Sequence, residues 1–143
     1  MLSTMLNKEE IITFVNDWMI SWNNHDLEGV LRVVTDDVEF EHWTGRTTRG
    51  LHLLRRAWQT WFADHGNFQF SVKNLYVDTA RQTVIFEWSL EWPSPESSFR
   101  EKREIRQGID VIVLRNGKVA NKRSYIKTVV KVDGQPVPLS FGK

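Results

Sequence analysis

From residue 68 to residue 92 the chain repeatedly alternates apolar and polar side chains, and this limits what it can fold into. In "FQFSVKNLYV" the apolar positions are Phe68, Phe70 and Val72; in "TVIFEWSLEW" they are Val84, Phe86, Trp88, Leu90 and Trp92. A period of two places all of these on one face of adjacent strands. Such a sheet is apolar on one side and needs a cover. After the loop "PSPESS", a strand is expected from about Phe99 to Leu114. "RNGK" then turns it into a last strand from Val119 to about Val132. "FREKREIR" mixes charges of both signs and reads as an exposed strand end. The tail "DGQPVPLSFGK" carries a turn signal and two prolines and reads as irregular.

The cover comes from the first half. Asn7 and Glu10 form a capping-box pattern ahead of Ile11, Phe14, Val15, Trp18 and Trp22, which recur at helical spacing. Asn23 and Asn24 stop this helix, and Asp26 starts a short second one with Leu27, Val30, Leu31 and Val34 inward. A strand follows in "TDDVEFEHWTG". "TGRTTRG" reads as a loop, with Thr47 or Thr48 capping a third helix that carries Leu51, Leu54, Trp58, Trp61 and Phe62 on one face, ended by His65 and Gly66. Helices segregated from a meander of antiparallel strands predict an α+β domain. The curved antiparallel sheet wraps around three N-terminal helices as a cone, with a cavity at its open end. One domain is expected over residues 1–143, its core at about 8–132 and an irregular tail at 133–143.

Composition narrows the function. The chain has 19 basic and 18 acidic residues, a net charge of +1, which leaves no footprint for nucleic acid. There are no cysteines, so disulfides and thiolate chemistry are excluded, and a cytoplasmic location is expected. "MLSTMLNKEE" lacks the features of a leader peptide, and no run approaches the ~20 apolar residues of a membrane span. Seven Trp and eight Phe are enough to line an apolar pocket as well as fill a core. His25, His52 and His65 share no metal-ligand spacing, so no metal is expected, and no phosphate loop or nucleophile elbow is present.

One residue stands out chemically. In "DVEFEH", Val38 and Phe40 alternate with Glu39 and Glu41, so the next inward residue is His42. Two readings stand: a strand-end histidine bound to a backbone carbonyl, or a pocket residue that exchanges protons near neutral pH.

Element order and three stretches resemble the nuclear transport factor 2-like superfamily (cystatin-like roll), and within it SnoaL-like proteins and ketosteroid isomerases. The stretches are "WNNHDLEGVLRVVTDDVEFEHWTG", "RGLHLLRRAWQTWF" and "GIDVIVLRNGKVANKRSYI". In the isomerase comparison, His42 falls at the general-base aspartate, Asp110 at the buried acid of the oxyanion hole and Trp18 at the hydrogen-bonding tyrosine. The epoxide hydrolase branch carries "W-R-D-Y-F-D" where this chain has "KRSYIK", with Lys122 and Ser124 at the tryptophan and aspartate. The resemblance implies a homodimer and a cofactor-independent isomerase, cyclase or dehydratase acting by acid–base chemistry on a small apolar or cyclic carbonyl compound. The alternative is a non-catalytic ligand-binding or association domain. His42 and Asp110 are the expected catalytic pair. Trp18, Trp58, Trp61, Phe62, Phe86, Trp88, Lys122 and Ser124 are the expected pocket residues.

Whether Asp110 points inward depends on the turn at Asn116-Gly117. A two-residue turn pairs Asp110 with Arg123 and Val111 with Lys122. A three-residue bulged loop pairs Asp110 with Lys122 and Gly108 with Ser124. A one-residue slip exchanges the faces, and the resemblance favours the second form, with Asp110, Lys122 and Ser124 on one wall.

Overall fold

The computed structural model describes residues 4–139. Residues 1–3 of the segment read for a leader, and residues 140–143 of the tail, lie outside the described residues. The elements are α1 (Lys8–Asn23), α2 (Leu27–Leu31), β1 (Val34–Glu41), β2 (Thr47–Arg49), α3 (Leu51–Asp64), β3 (Gln69–Asp78), β4 (Thr83–Pro93), β5 (Arg103–Arg115), β6 (Lys118–Ile126), β7 (Val129–Val132) and β8 (Gln135–Pro138). A 3-10 turn at Ser97–Phe99 lies between β4 and β5.

The helix signals act as read. Asn7 Oδ1 accepts from the Glu10 amide at 2.8 Å, and Glu10 Oε1 accepts from the Asn7 amide at 2.9 Å. Together they satisfy two N–H groups that the first turn leaves without partners. The buried stripe of α1 is Ile11, Val15, Trp18 and Trp22. Asp26 caps α2 by accepting from the Gly29 amide at 3.0 Å. The start of α3 differs from expectation. Thr47 and Thr48 pair with β1 as the short strand β2 instead of capping. Gly50 is the N-cap, in the left-handed region at φ +89°, where a side chain would be strained.

The sheet runs β2-β1-β6-β5-β4-β3 and curls around the helices. Its inner face carries the predicted alternation: Val84, Phe86, Trp88, Leu90 and Trp92 on β4 are all buried. The α+β cone is therefore the fold, with one correction to the strand pairing. The β1–β6 pair is parallel, with Phe40 opposite Lys122, so the sheet is mixed. No hairpin joins these two strands, and the direction of β6 is set by the turn at Asn116-Gly117 instead.

Two further expectations are corrected. The last strand breaks after Ile126. Residues Val129–Val132 pair with the start of β5, and an Asp133-Gly134 turn returns β8 onto them. Both turn residues have positive φ, 50° and 83°, as a two-residue hairpin requires. Pro136 and Pro138 are tolerated there because β8 lies at a sheet edge. The "FREKREIR" stretch is also not an exposed end. Glu104 is fully buried and Arg106 is 3% exposed. They neutralise each other in a two-pronged ion pair at 2.9 and 3.0 Å, and Trp92 and Ser94 donate to the same carboxylate. Every polar atom of Glu104 is thus satisfied, which is what lets the pair sit on the inner face.

Candidate functional site

The hairpin between β5 and β6 decides the chemistry of the cone's floor. Asn116 and Gly117 form a two-residue turn with positive φ, so Arg115 faces Lys118. Ala120 then bulges, because Leu114 pairs with Val119 while Val113 pairs with Asn121. The bulge shifts the register by one, placing Asp110 opposite Ser124 and Ile112 opposite Lys122. Neither pairing expected from the sequence is the observed one, yet Asp110, Lys122 and Ser124 do share the inner face.

These three side chains form one cluster. Lys122 Nζ lies 3.2 Å from Asp110 Oδ2 and donates to Ser124 Oγ at 2.9 Å. The ammonium also lies over the Phe40 ring at 4.6 Å and faces the Trp58 ring at 5.9 Å. Asp110 Oδ1 accepts from Trp88 Nε1 at 2.9 Å. The buried carboxylate is thus held by a cation on one oxygen and an indole N–H on the other. Gly108 makes room for this arrangement: a Cβ there would collide with the Trp88 ring and the Tyr125 carbonyl oxygen.

Above this floor opens a cavity of about 800 Å³. Its aromatic walls include Phe40, Trp22, Trp58, Trp61 and Phe70, and Lys122 and Ser124 are its most buried polar side chains. His42 sits at the end of β1, half-buried, with its ring edge-on to Phe40 at 5.8 Å. Its pKa falls from 6.5 to about 4. Burial is the main cause. The positive charges of Lys122 and Arg106 add to it, outweighing the opposing pull of Asp110. The imidazole is therefore neutral at pH 7. Its Nδ1 lies 3.1 Å from Thr44 Oγ1 and 3.3 Å from the Thr44 amide nitrogen. When Nδ1–H donates to the hydroxyl, Nε2 is a base; when Nδ1 accepts from the amide, Nε2 carries the proton and is a donor.

Of the residues singled out in the sequence, His42, Trp58, Trp61, Lys122 and Ser124 line the cavity. The others do not. Trp18 faces the α1–α2 seam, where its Nε1 donates to the Val30 carbonyl at 3.0 Å. Phe62 packs against Trp22 and Phe68, and Phe86 lies in the core. Trp88 and Asp110 lie one layer behind the lining: Asp110 pairs with Lys122, and Trp88 donates to Asp110 and packs against Trp43 and Phe70.

Sequence reasoning missed Trp43 and the arginines at the mouth, Arg46 and Arg56. Strand alternation would turn Trp43 outward, but the chain leaves the strand at His42. The His42 amide donates to the Arg46 carbonyl at 2.8 Å and the Gly45 amide to the His42 carbonyl at 2.9 Å. This tight reversal swings Trp43 inward against His42 at 4.3 Å and over Trp88 at 5.8 Å. The glycine in "HWTG" was the available signal for such a turn. Among the described residues no three His, Asp or Glu side chains converge as a metal site, and no helix is long and apolar enough to cross a membrane.

Comparison with known proteins fits this architecture. No curated protein matches the chain. Among solved structures, it is similar to TerC co-crystallised with polyporic acid, at 17% identity over 83% of this chain and 92% of that one, TM-score 0.69. It is also similar to SalBIII, an epoxide hydrolase/cyclase-like enzyme with a role in pyran ring formation in the polyether salinomycin, at 14% identity over 85% and 93%, TM-score 0.73. A protein of unknown function with a cystatin-like fold from Methylobium petroleophilum PM1 shares 12% identity over 98% and 84%, TM-score 0.69. At these identities the likeness is one of fold. The sequence profile of the SnoaL-like domain, however, matches residues 15–122, from the middle of α1 to Lys122 on the cavity floor, and the chain therefore belongs to the SnoaL-like domain family.

Proposed function

We propose that this chain acts as one SnoaL-like domain of the cytoplasm, holding a flat or cyclic carbonyl compound and moving a proton on it without a cofactor. The observation that carries this reading is the ammonium of Lys122 beside the Ser124 hydroxyl at the bottom of an aromatic cavity, within the electrostatic reach of His42. A carbonyl oxygen placed there meets a cation and a hydroxyl, the groups that stabilise charge developing on oxygen. His42 is the proton-transfer residue. With Nδ1–H on Thr44 Oγ1, Nε2 takes a proton from the carbon next to the carbonyl. The C–H electron pair forms an enolate C=C as the C=O π pair moves to the oxygen. In a substrate with a neighbouring C=C the pair returns from oxygen while the γ carbon takes the proton. The pKa of about 4, well below the near-neutral value expected from the sequence, keeps the imidazole unprotonated at neutral pH. It makes the conjugate acid quick to give the proton back, while weakening Nε2 as a base in the first step. Asp110 and Trp88 are positioning residues that hold Lys122 in place.

The test is turnover of cyclic enones and hydroxyquinones by the parent, His42→Ala and Asp110→Asn proteins, with the fold checked by circular dichroism. A loss of kcat/KM in His42→Ala of about a hundredfold is expected for removal of a proton-transfer group. Unchanged kcat/KM in both variants would end the catalytic reading.

A non-catalytic ligand-binding role is the second reading, favoured by the Thr44 amide at 3.3 Å from Nδ1. That contact makes Nε2 a donor, able to hold a ligand oxygen but not to take a proton. Nitrogen-15 shifts of the His42 ring separate the two tautomers. We also propose a homodimer through the outer sheet face, where Ile85, Ile109, Val111 and Val113 are only half-buried and Tyr125 is 47% exposed in a single copy. Sedimentation at ~10 μM, where weak association is still populated, is expected to show a dimer.

A further inference from the structure

We infer that the ligand of the cavity is an anion: a flat ring system carrying a carboxylate or a similarly acidic oxygen, held by Trp22 and drawn in by Arg46 and Arg56. The inference rests on the cavity reading above and adds the charge of what fills it.

Three observations converge. First, among the described residues the cavity is lined by Arg46, Arg49, Arg56 and Lys122 and by no Asp or Glu. Two of these charges are already balanced, Lys122 by Asp110 at 3.2 Å and Arg49 by Glu39 at 3.3 Å. Arg46, from the loop after β1, and Arg56, from α3, take part in no ion pair among the described residues. Two different elements therefore each bring an unbalanced guanidinium to the same mouth. A cleft lined by one sign of charge concentrates ligands of the other.

Second, Trp22 is 5% exposed, lines the cavity, and its Nε1–H has no hydrogen-bond partner. A buried donor left alone is costly, and because Nε1 is sealed from solvent, an acceptor on a bound ligand satisfies it when the ring turns toward the cavity on binding. Third, Ser124 Oγ accepts from Lys122, so its own hydroxyl proton is free to be donated elsewhere, and no side chain or carbonyl among the described residues takes it. The cavity thus offers surplus donors and cations over aromatic walls. Its complement is a planar molecule rich in acceptor oxygens and bearing negative charge.

The experiment uses 2-naphthoate and its neutral counterpart 2-naphthamide, which share ring, size and a carbonyl acceptor. Binding is read by isothermal titration calorimetry on the parent, on Arg46→Gln/Arg56→Gln, on Trp22→Phe and on Trp58→Ala. Naphthoate is expected to bind about tenfold more tightly than naphthamide at low salt, as two partly exposed ion pairs allow. In Arg46→Gln/Arg56→Gln, both exposed sites and thus no threat to folding, the preference should vanish. Trp22→Phe keeps an aromatic wall but removes the donor, and should weaken naphthoate by about tenfold.

Equal binding of the two probes, weakened alike by Trp58→Ala, would overturn the anion assignment while leaving the cavity as a ring-binding site. A naphthoate preference that survives in Arg46→Gln/Arg56→Gln would overturn the role of the arginines, and unchanged binding in Trp22→Phe that of the indole. No binding of either probe to the parent protein would overturn this inference and the small-molecule reading together.

Discussion

Lys122 and Asp110 stand two strands in from the edge of the sheet, 3.2 Å apart and both almost wholly buried, with the carboxylate's other oxygen held by Trp88 at 2.9 Å. Each side chain makes the burial of the other tolerable. Removing one leaves the other charged in a poorly hydrated site, which costs about 3 kcal/mol or more. Removing both leaves a packing change instead. Asp110→Asn and Lys122→Met are each expected to lower the urea midpoint sharply. The double variant should be more stable than the sum of the two losses predicts, by about 1–3 kcal/mol. Strict additivity in this cycle would mean that the pair is not coupled.

His42 gives a pH dependence whose sign follows from its depressed pKa. The folded protein resists protonating this ring until about pH 4, whereas the unfolded chain takes the proton near 6.5. Between those values the unfolded state binds more protons, so stability falls as pH falls from 6.5 to 4 and levels off below. Because the ring is partly exposed, the contribution is discounted for solvent screening to roughly 1–2 kcal/mol. His42→Gln should flatten the stability curve in that window, leaving the slopes of other groups. An unchanged slope between pH 6.5 and 4 would mean that His42 titrates normally.

Much of the fold was legible because it is written in local patterns. The Asn7–Glu10 box, the α1 stripe and the β4 alternation each depend on residues a few places apart. What the pattern could not reveal depends on distant partners. The parallel β1–β6 pair joins Phe40 to Lys122 across 82 residues, and no periodicity encodes a neighbour so far away. The bulge at Ala120 leaves no turn residue to mark it, so the pairing of Asp110 stayed open. The site was half legible. His42, Trp58, Trp61, Lys122 and Ser124 followed from alternation, helical spacing and resemblance. Trp43 was hidden by a tight turn that ends the alternation one residue early, and Arg46 and Arg56 carry no pattern that distinguishes them from solvated arginines.

The Glu104–Arg106 pair supports a third prediction. Two residues apart on β5, they point to the same inner face, with Arg106 held between the Trp43 and Trp92 rings at 5.6 and 5.1 Å. Glu104→Ala leaves the buried Arg106 guanidinium with Glu96 alone, at 3.0 Å, and orphans the donors of Trp92 and Ser94, at a cost of about 3 kcal/mol. Glu104→Met with Arg106→Met removes both charges and keeps much of the volume, so it should cost less than Glu104→Ala alone. Urea midpoints of the two proteins decide, and a double variant at least as destabilised would show that packing, and not charge, dominates here.

Gly108 carries the last prediction, since it ties the hairpin to the floor of the cavity. A methyl group there would overlap the Trp88 ring and the Tyr125 carbonyl oxygen. The carbonyl belongs to the paired strand β6 and can retreat only by loosening the ladder. The indole can retreat only by withdrawing Nε1 from Asp110. Gly108→Ala should therefore cost about 1–3 kcal/mol, the usual range for overpacking. It should also change the near-ultraviolet dichroism as Trp88 shifts. In a Trp88→Phe background the ring clash is reduced while the carbonyl clash remains, so the same substitution should cost less, but still something. If Gly108→Ala were equally harmful in both backgrounds, the glycine would serve the β5–β6 ladder alone.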